Sequence, residues 1–403
     1  MRMKTRISVE EAVDIIRANT APLPPERRSG DACRGLVLAE DVIAPMSQPP
    51  FDRSPLDGYA LIAADTDGAS EETPARLQVI DTVYAGGWSE VTVRPGQCVR
   101  IMTGAPIPAG ADCVVRQEDT DRGAPEVAVR VGLRDHENYC FRGEDYREGD
   151  TLIPAGYPLD AAALGLLAGA GLEGAEMPVR PRPRILLAGT GDELAPPGQP
   201  LRPGQIYNSN LPQLAARCRE LGYAAAAVQL PDDPQVVARG LAVGVRDYDC
   251  VITTGGVSVG EKDIFHQALP LAGAERLFWR VMLKPGTPMM FSLLGGKPVL
   301  SLSGNPFAAA ATFELFARPM LAALSGDCRW EPTTLSAPLA DGFGKKSGGR
   351  RFVRGRYTGG AVHLPEGHSS GQLRSSLGCN CLVDIPAGSP ALKAGDTVRV
   401  ILL

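Results

Sequence analysis

The feature that most constrains the fold of this chain is an alternation of strand-like and helix-like segments between residues 178 and 326. Short apolar runs at Ile185–Gly189, Cys250–Thr254 and Val299–Leu302 have the pattern of buried strands, and each is followed by a loop and a helical pattern. Asn305 and Pro306 stand at the N-cap and first position of the last of these helices. The alternation predicts βαβ units and an α/β domain with a mostly parallel sheet.

The segments on either side of this domain predict a multidomain protein of α/β and β parts. Ser8 and Asp160 cap two predicted helices, over residues 8–18 and 160–170. Short β-like runs at Arg76–Val83, Gln97–Met102, Asp112–Gln117 and Glu126–Val131 predict a small β domain within residues 51–146. The alternating run Arg351–Tyr357 predicts a small β barrel or sandwich near the end. The predicted domains are an elongated linker domain (1–45 and 147–177), an inserted β-rich domain (46–146), the α/β domain (178–326) and a C-terminal β-barrel domain (327–403).

Composition argues against several classes of function. Proteins that bind nucleic acid carry a basic face, whereas the formal net charge here is −5. The nine cysteines have no zinc-ligand spacing, which favours reduced thiols. No run approaches the ~18 apolar residues of a membrane-spanning helix, and the first residues lead into an acidic amphipathic helix rather than a signal sequence. We therefore expect a cytoplasmic protein with no membrane or nucleic-acid partner.

Three of the predicted strands are followed by loops rich in glycine and polar residues: Thr190–Glu193, Thr253–Asp263 and Ser303–Pro306. Ligands of open α/β sheets bind beyond the carboxyl ends of the strands, and glycines let backbone N–H groups approach an anion closely. A phosphate-bearing ligand is therefore favoured, although Asp192 and Asp263 could simply be helix caps and the glycine pair a turn. The candidate ligand-binding residues are Thr190, Gly191, Asp192, Gly255, Gly256, Ser258, Gly260, Ser303, Gly304, Asn305 and Pro306.

Charged side chains near these loops suggest metal-assisted chemistry. Glu193 and Asp263, with Asp232 beside them, would repel a phosphate unless a hard cation lay between, and Mg²⁺ held by Glu193 and Asp263 is the expected cation. Arg280 and Lys284 are four residues apart, so in an extended strand they would share one face and could bind an oxyanion. The competing interpretation of that pair is two solvated charges at a sheet edge.

A basic segment in the C-terminal domain is the last candidate. Its arginines are Arg350, Arg351, Arg354 and Arg356. Together with Ser375 and Ser376 they could hold a ligand phosphate, or they could form a solvated face. Neither a P-loop with its Lys-Ser/Thr ending nor a G-x-S-x-G turn is present. The residues alone thus indicate a Mg²⁺-assisted enzyme acting on a phosphorylated small molecule.

Ordered motifs along nearly the whole chain resemble one family. Phe51–Ala60, FDRSPLDGYA, is similar to the signature F-D-x-S-x-M-D-G-Y-A, and Arg100–Asp112 is similar to the block that follows it. Further matching blocks occur in family order at Gly143–Asp145, Thr190–Leu194, Asp232–Pro234, Gly255–Asp263, Lys284–Gly286 and Gly304–Pro306. On these motifs the chain resembles the molybdopterin molybdenumtransferases and the C-terminal domain of gephyrin.

The resemblance implies an enzyme that inserts molybdenum from molybdate into adenylylated molybdopterin, using Mg²⁺ and releasing AMP. It implies a homodimer joined through the linker domain, whose site lies between the α/β domain of one subunit and the inserted domain of the other, and handover of the cofactor to or from other proteins of its synthesis. Ser375, beside the basic segment, is a further candidate ligand-binding residue on the sequence alone. The implied catalytic residues are Asp57, Thr103 and Asp145 acting in trans, Glu193, Asp232 and Asp263 around the pyrophosphate and cation, and Arg280 and Lys284 at the oxyanion.

Two other functions remain open on the sequence alone. A related α/β domain adenylylates molybdopterin, but Val257–Glu261 after the glycine pair and the additional terminal domains argue against that earlier step. A non-catalytic molybdopterin-binding scaffold is the other alternative, against which the carboxylates Asp57, Glu193 and Asp263 speak. Ser303 stands where the family usually has proline, which places the geometry of that loop in question.

Overall fold

The computed structural model describes residues 3–257 and 264–403. The chain forms two compact units. The first comprises Met1–Arg28, Gly35–Ala39 and Pro178–Leu403, and the second comprises Ser29–Arg34 and Glu40–Met177. The N-terminal segment, expected in the linker domain, therefore groups with the α/β part of the chain. The division into four domains stays a prediction.

A seven-stranded sheet forms the centre of the first unit. The strands follow one another across it in the order Lys4–Ile7, Glu275–Val281, Met290–Leu294, Lys297–Leu302, Cys250–Thr254, Ile185–Thr190 and Ala225–Leu230. All run parallel to one another except Met290–Leu294. Ile185–Thr190 and Cys250–Thr254 are buried along their whole length, as strands covered on both faces should be. The predicted α/β domain with a mostly parallel sheet is confirmed.

Capping side chains fix where several helices of this unit begin. Ser8 Oγ accepts a hydrogen bond from Glu11 N at 3.1 Å, and Asp233 Oδ1 accepts one from Val236 N at 2.9 Å. The helix predicted after Ser8 is confirmed. The helices of the unit are Val9–Ala18, Asn210–Glu220, Pro234–Asp247, Ile264–Leu271, Pro306–Thr312 and Arg318–Ser325, with 3₁₀ turns at Cys328–Trp330 and Arg374–Ser376.

One continuous helical run, Pro306–Ser325, is long and apolar enough to cross a membrane, contrary to our expectation that no segment would be. Most of it is buried within the protein, so it packs as a core helix. A π-helical turn at Phe313–Ala317 interrupts its α-helical pattern. Asn305 occupies the predicted N-cap position, but its side chain makes no capping hydrogen bond.

The C-terminal part of the first unit is a curled antiparallel sheet. Its five strands lie in the order Thr334–Pro338, Thr397–Leu402, Cys381–Ile385, Arg351–Thr358 and Ala361–His363. Just beyond the first strand, Leu339 forms a bridge with Val362 in the last strand, and Ala340 N donates to Val362 O at 2.8 Å. The two edges therefore meet, and the predicted small barrel is confirmed.

The second unit is built on a five-stranded mixed sheet. Its strands lie in the order Cys113–Arg116, Gly58–Leu61, Gln97–Ile101, Ala75–Val83 and Glu126–Val129. Four of them were predicted, whereas the fully buried strand Gly58–Leu61 was not. The unit also contains a strand pair, Thr151–Ile153 with Val42–Ile43, and the helix Ala161–Gly169, where Asp160 Oδ1 accepts from Ala163 N at 3.0 Å as predicted. Its 3₁₀ turns are Gly30–Cys33, Ala63–Thr66 and Gln117–Asp119.

Candidate functional site

A cavity of about 420 Å³ lies beyond the carboxyl ends of the parallel strands of the first unit. The loops that follow Ile185–Thr190, Cys250–Thr254 and Lys297–Leu302 all contribute to its wall, which is the place where such sheets bind ligands. The described parts of the three predicted ligand loops are thus brought together. Predicted residues in the wall are Thr190, Gly191, Glu193, Asp232, Gly255, Gly256, Ser303, Gly304, Asn305 and Pro306.

Glycine is required where two of these loops cross. Gly255 has a φ of +97°, and a Cβ at this position would lie 2.4 Å from the carbonyl oxygen of Thr190. A Cβ on Gly304 would lie 3.2 Å from Gly255 Cα. Because no side chain separates the loops, backbone groups of all three face the cavity at close range, as in sites that hold phosphate.

Several polar side chains in the cavity wall have atoms that make no hydrogen bond among the described residues and could bond to a ligand. Thr190 Oγ1, Asn208 Nδ2 and Asn210 Oδ1 are buried and have no hydrogen-bond partner among the described residues. Asn210 Nδ2 donates to Thr254 Oγ1 at 2.7 Å and to Gly304 O at 2.8 Å, so this asparagine also ties two loops together. Leaving such atoms unpaired costs about 1–3 kcal/mol each, which a polar ligand would recover.

Neither asparagine was among the residues predicted from the sequence. Asn208 and Asn210 lie directly before and within the first turn of the helix Asn210–Glu220. The run Asn208-Ser209-Asn210 at the start of this helix was an available signal. Their role depends on the neighbouring strand exit, which local sequence does not reveal.

The predicted carboxylates occupy two different arrangements. Asp192 N donates to Asp232 Oδ2 and Asp232 N donates to Asp192 Oδ1, each at 3.2 Å, so these two residues lock their loops to each other. Glu193 is exposed at the cavity wall, and a Cβ on Gly191 would lie 2.8 Å from Glu193 Oε2. Glycine at 191, where φ is +154°, leaves room for the carboxylate in this position.

Part of the predicted metal and ligand set lies outside the described residues, namely Ser258, Gly260 and Asp263. Within residues 3–257 and 264–403, no group of three or more His, Cys, Asp and Glu side chains is arranged to hold a metal ion. The cation prediction therefore depends on Glu193 and on carboxylate donors from outside the described part of the chain.

The predicted geometry of Arg280 and Lys284 was wrong. Arg280 lies within the strand Glu275–Val281 but has a left-handed backbone, φ +65°. Lys284 lies beyond that strand, forms an isolated bridge with Arg351, and is followed by a cis peptide to Pro285. The two residues do not share a strand face. Lys284 is exposed, and neither side chain lines the 420 Å³ cavity.

The arginines of the C-terminal domain do not form one basic patch. Arg350 pairs with Asp384 at 2.7 Å, and Arg354 is only 1% exposed. The Arg354 guanidinium donates to Ser375 Oγ at 2.8 Å and stacks on the ring of Phe307, 3.8 Å from its centroid. Ser375 is half-buried, and its hydroxyl is bonded to this buried arginine.

In the second unit, two predicted residues are bonded directly. Asp57 Oδ1 accepts hydrogen bonds from Thr103 N and Thr103 Oγ1, each at 2.8 Å. These bonds, with the positive charge of Arg100 nearby, hold the pKa of the Asp57 carboxyl below its ordinary value. Asp145 is exposed, and its backbone N–H donates to Gln48 O at 3.0 Å. The structure thus joins Asp57 to Thr103 and shows no contact of either with Asp145 among the described residues.

Replacing Thr103 with valine is expected to raise the pKa of Asp57. The substitution removes the hydroxyl bond to the charged carboxylate and leaves the backbone bond, so the ionised form loses part of its stabilisation. Because the pKa is lowered in the native protein, Asp57 stays ionised further into the acid range, and the variant should protonate at higher pH. A ¹³C NMR titration of the carboxyl carbon measures this, with Thr92→Val as a control threonine change; an unchanged or lower pKa would contradict it.

Comparisons with known proteins agree along nearly the whole chain. Residues 7–171 match the MoeA N-terminal region (domain I and II), residues 187–323 a probable molybdopterin binding domain, and residues 336–403 the MoeA C-terminal region (domain IV). Molybdopterin molybdenumtransferase 2 of Mycobacterium tuberculosis is 38% identical over 97% of this chain and 96% of its own length. Molybdopterin molybdenumtransferase of Staphylococcus aureus is 35% identical over 98% and 95%. The crystal structure of a molybdopterin biosynthesis moeA protein from Pyrococcus horikoshii superposes with a TM-score of 0.85 at 28% identity, covering 99% of this chain and 100% of that one.

Proposed function

The chain belongs to the molybdopterin molybdenumtransferase family, and from that premise we propose that it inserts molybdenum from molybdate into adenylylated molybdopterin with release of AMP. It is a transferase of molybdenum cofactor biosynthesis. What we propose is the adenylylated form of its substrate, its use of Mg²⁺ and the roles of individual residues. Cytoplasmic location and exchange of the cofactor with other proteins of the pathway are part of the same proposal.

The observation that carries the proposal is the glycine-lined cavity with unpaired polar atoms at the strand exits. Gly255 and Gly304 bring backbone groups to the wall, and Thr190 Oγ1 offers a buried hydroxyl with no partner among the described residues. Such a site suits the phosphoanhydride of an adenylylated substrate, since its oxygens can accept from N–H and hydroxyl groups without a large basic charge. We assign this cavity to the phosphates that join the pterin to AMP.

A divalent cation fits the donor chemistry of this wall. Mg²⁺ is usually bound by one or two carboxylates together with substrate phosphates rather than by a protein cage. Glu193, whose carboxylate lies against Gly191 at the cavity, would hold it, and Asp263 is the second ligand we propose. When bound, the cation would neutralise charge that develops on the phosphate oxygens during cleavage.

Basic and acidic residues elsewhere complete the proposed chemistry. Arg280 and Lys284 would bind molybdate while its metal passes to the dithiolene sulfurs of the pterin. Asp57, Thr103 and Asp145 would act on the site of the other subunit in a homodimer. The pair Asp57 and Thr103 presents an ionised carboxylate with one fixed orientation, because both bonds from Thr103 end on the same oxygen. The second carboxylate oxygen stays available to position a substrate group.

The test measures AMP release and cofactor formation from adenylylated molybdopterin with molybdate and Mg²⁺. Wild type should turn over, and Glu193→Gln and Asp57→Asn should each lose about a hundredfold in rate while remaining folded. Mixing the two inactive variants then distinguishes a site that is shared between two subunits from a site that lies within one subunit. If Asp57 acts in trans, a mixed dimer contains one intact site, and random reassociation should restore roughly a quarter of wild-type activity.

Two outcomes would count against the proposal. Wild type that binds molybdopterin yet neither cleaves the adenylate nor inserts molybdenum would indicate a carrier. Full single-variant losses with no recovery on mixing would place Asp57 in the site of its own subunit. Glu90→Gln, an exposed carboxylate of the second unit, is the matched control and should behave as wild type.

A further inference from the structure

The backbone is irregular at one level of the seven-stranded sheet. Arg280 has a φ of +65° inside Glu275–Val281, and Arg6 on the adjacent strand has a φ of +56°. The two lie at the same level, since Thr5 pairs with Trp279 and Ile7 pairs with Val281 on either side of them. Left-handed conformations are disfavoured for residues other than glycine and persist where surrounding structure imposes them. The irregularity therefore needs an explanation at Arg280.

With this backbone conformation, the side chain of Arg280 stacks on the side chain of the preceding residue, Trp279. In a regular strand, successive side chains point to opposite faces, so a residue cannot cover its neighbour. Here the guanidinium carbon of Arg280 lies 4.4 Å from the centroid of the Trp279 ring. The left-handed backbone turns the arginine back over the indole, where the ring attracts its charge.

The indole is itself fixed by the helix that covers the sheet. The His266 ring packs perpendicular to it, with centroids 4.5 Å apart, and His266 Nδ1 is bonded to Arg276 Nη1 at 3.2 Å. Trp279 Nε1 is buried and has no acceptor among the described residues, so ring packing rather than a hydrogen bond sets its position. A helix side chain, an indole and a guanidinium thus form one ordered stack.

Within residues 3–257 and 264–403, Arg280 forms no ion pair with a carboxylate. Its flat guanidinium lies against the ring and keeps its N–H edge for another acceptor. When the plane is already oriented, an oxyanion approaching that edge can accept two parallel N–H bonds without a further cost of ordering the side chain. A freely rotating side chain would have to be ordered when the anion binds.

We infer that Trp279 is a positioning residue that orients the guanidinium of Arg280 for binding the oxyanion substrate. The inference rests on the oxyanion role proposed above for Arg280, and it adds a residue outside the motifs that identify the family. Trp279 need not contact the substrate itself. Its effect is exerted through the stack.

The experiment is steady-state kinetics of the full-length chain with molybdate varied at saturating adenylylated molybdopterin. Trp279→Leu removes the aromatic face and should raise KM for molybdate about fivefold while kcat changes less than about twofold. Trp279→Phe keeps a ring, and the lost indole N–H had no acceptor among the described residues, so KM should stay within about twofold of wild type. KM for the pterin substrate should not change in either variant, and thermal unfolding checks that both fold.

Arg280→Ala and the double variant with Trp279→Leu decide between the possible results. If the two residues act through one another, Arg280→Ala raises KM for molybdate and adding Trp279→Leu raises it no further. Independent effects that multiply, or a normal KM in Trp279→Leu, would overturn the inference while leaving the proposed role of Arg280 intact. A normal KM in Arg280→Ala would overturn both. A higher KM for both substrates in Trp279→Leu, with no recovery in Trp279→Phe, would indicate that Trp279 has only a structural role. That result would also refute the inference.

Discussion

Gly255→Ala is expected to lower the rate of cofactor formation by more than about a hundredfold. The new Cβ would lie 2.4 Å from the carbonyl oxygen of Thr190, far inside contact distance, on a residue whose φ is +97°. The nearest atom belongs to the backbone, so moving a side chain cannot relieve this contact, and the loop must shift by about an ångström. Displacements of that size at a ligand site cost about a hundredfold in rate. Release of AMP from the adenylylated substrate measures the effect.

Gly198→Ala is the control for Gly255→Ala. It introduces a Cβ on a residue with positive φ but without a steric clash. Gly198 also has a positive φ, +81°, but a Cβ there would have no heavy atom within 4 Å. Alanine at this position costs roughly 1–2 kcal/mol of stability through its backbone alone, and the rate should stay near wild type. If Gly255→Ala were folded and fully active, the glycine crossing would not hold the ligand, and the assignment of the cavity to the phosphates would fail.

The elements predicted well from the sequence are those whose signals are local. Ser8 and Asp160 were identified as helix caps because a capping side chain bonds only three residues ahead. The strand Cys250–Thr254 was identified because three apolar residues followed by two β-branched threonines form a short run typical of a buried strand, and all five are buried. The strand exits and their glycines followed from these elements, so the place of the cavity could also be predicted.

The elements that escaped prediction depend on distant partners. Lys4–Ile7 has only one buried residue and becomes a strand because it pairs with Glu275–Val281, more than two hundred residues later. Gly58–Leu61 is too short to show a period, although it lies between two strands of its sheet. The sequence left open that Arg354 lies on a solvated face, whereas it is buried. Its guanidinium is bonded to Ser375 Oγ and Ser369 O, and the local sequence does not show that these groups lie near it.

Glu314→Ala is expected to lower the free energy of unfolding by about 3–5 kcal/mol. Glu314 is 5% exposed in the π-helical turn and accepts from Arg217 Nε at 2.7 Å and from Arg318 Nη1 at 3.0 Å. Removing it leaves two arginines without their shared carboxylate, and the Arg318 side chain, only 7% exposed, cannot reach water. Urea unfolding of the full chain, followed by circular dichroism, measures the loss.

Glu220→Ala provides a control on the same arginine. Glu220 accepts from Arg217 Nη1 at 2.8 Å, but its side chain is 65% exposed, so the pair is screened by water and should contribute at most about 1 kcal/mol. If both variants lost the same small amount of stability, the burial of the Glu314 charge would not matter, and the π-helical turn would need another explanation. A large loss in Glu314→Ala alone would mean that the buried carboxylate, which the π-helical turn places between Arg217 and Arg318, stabilises the fold.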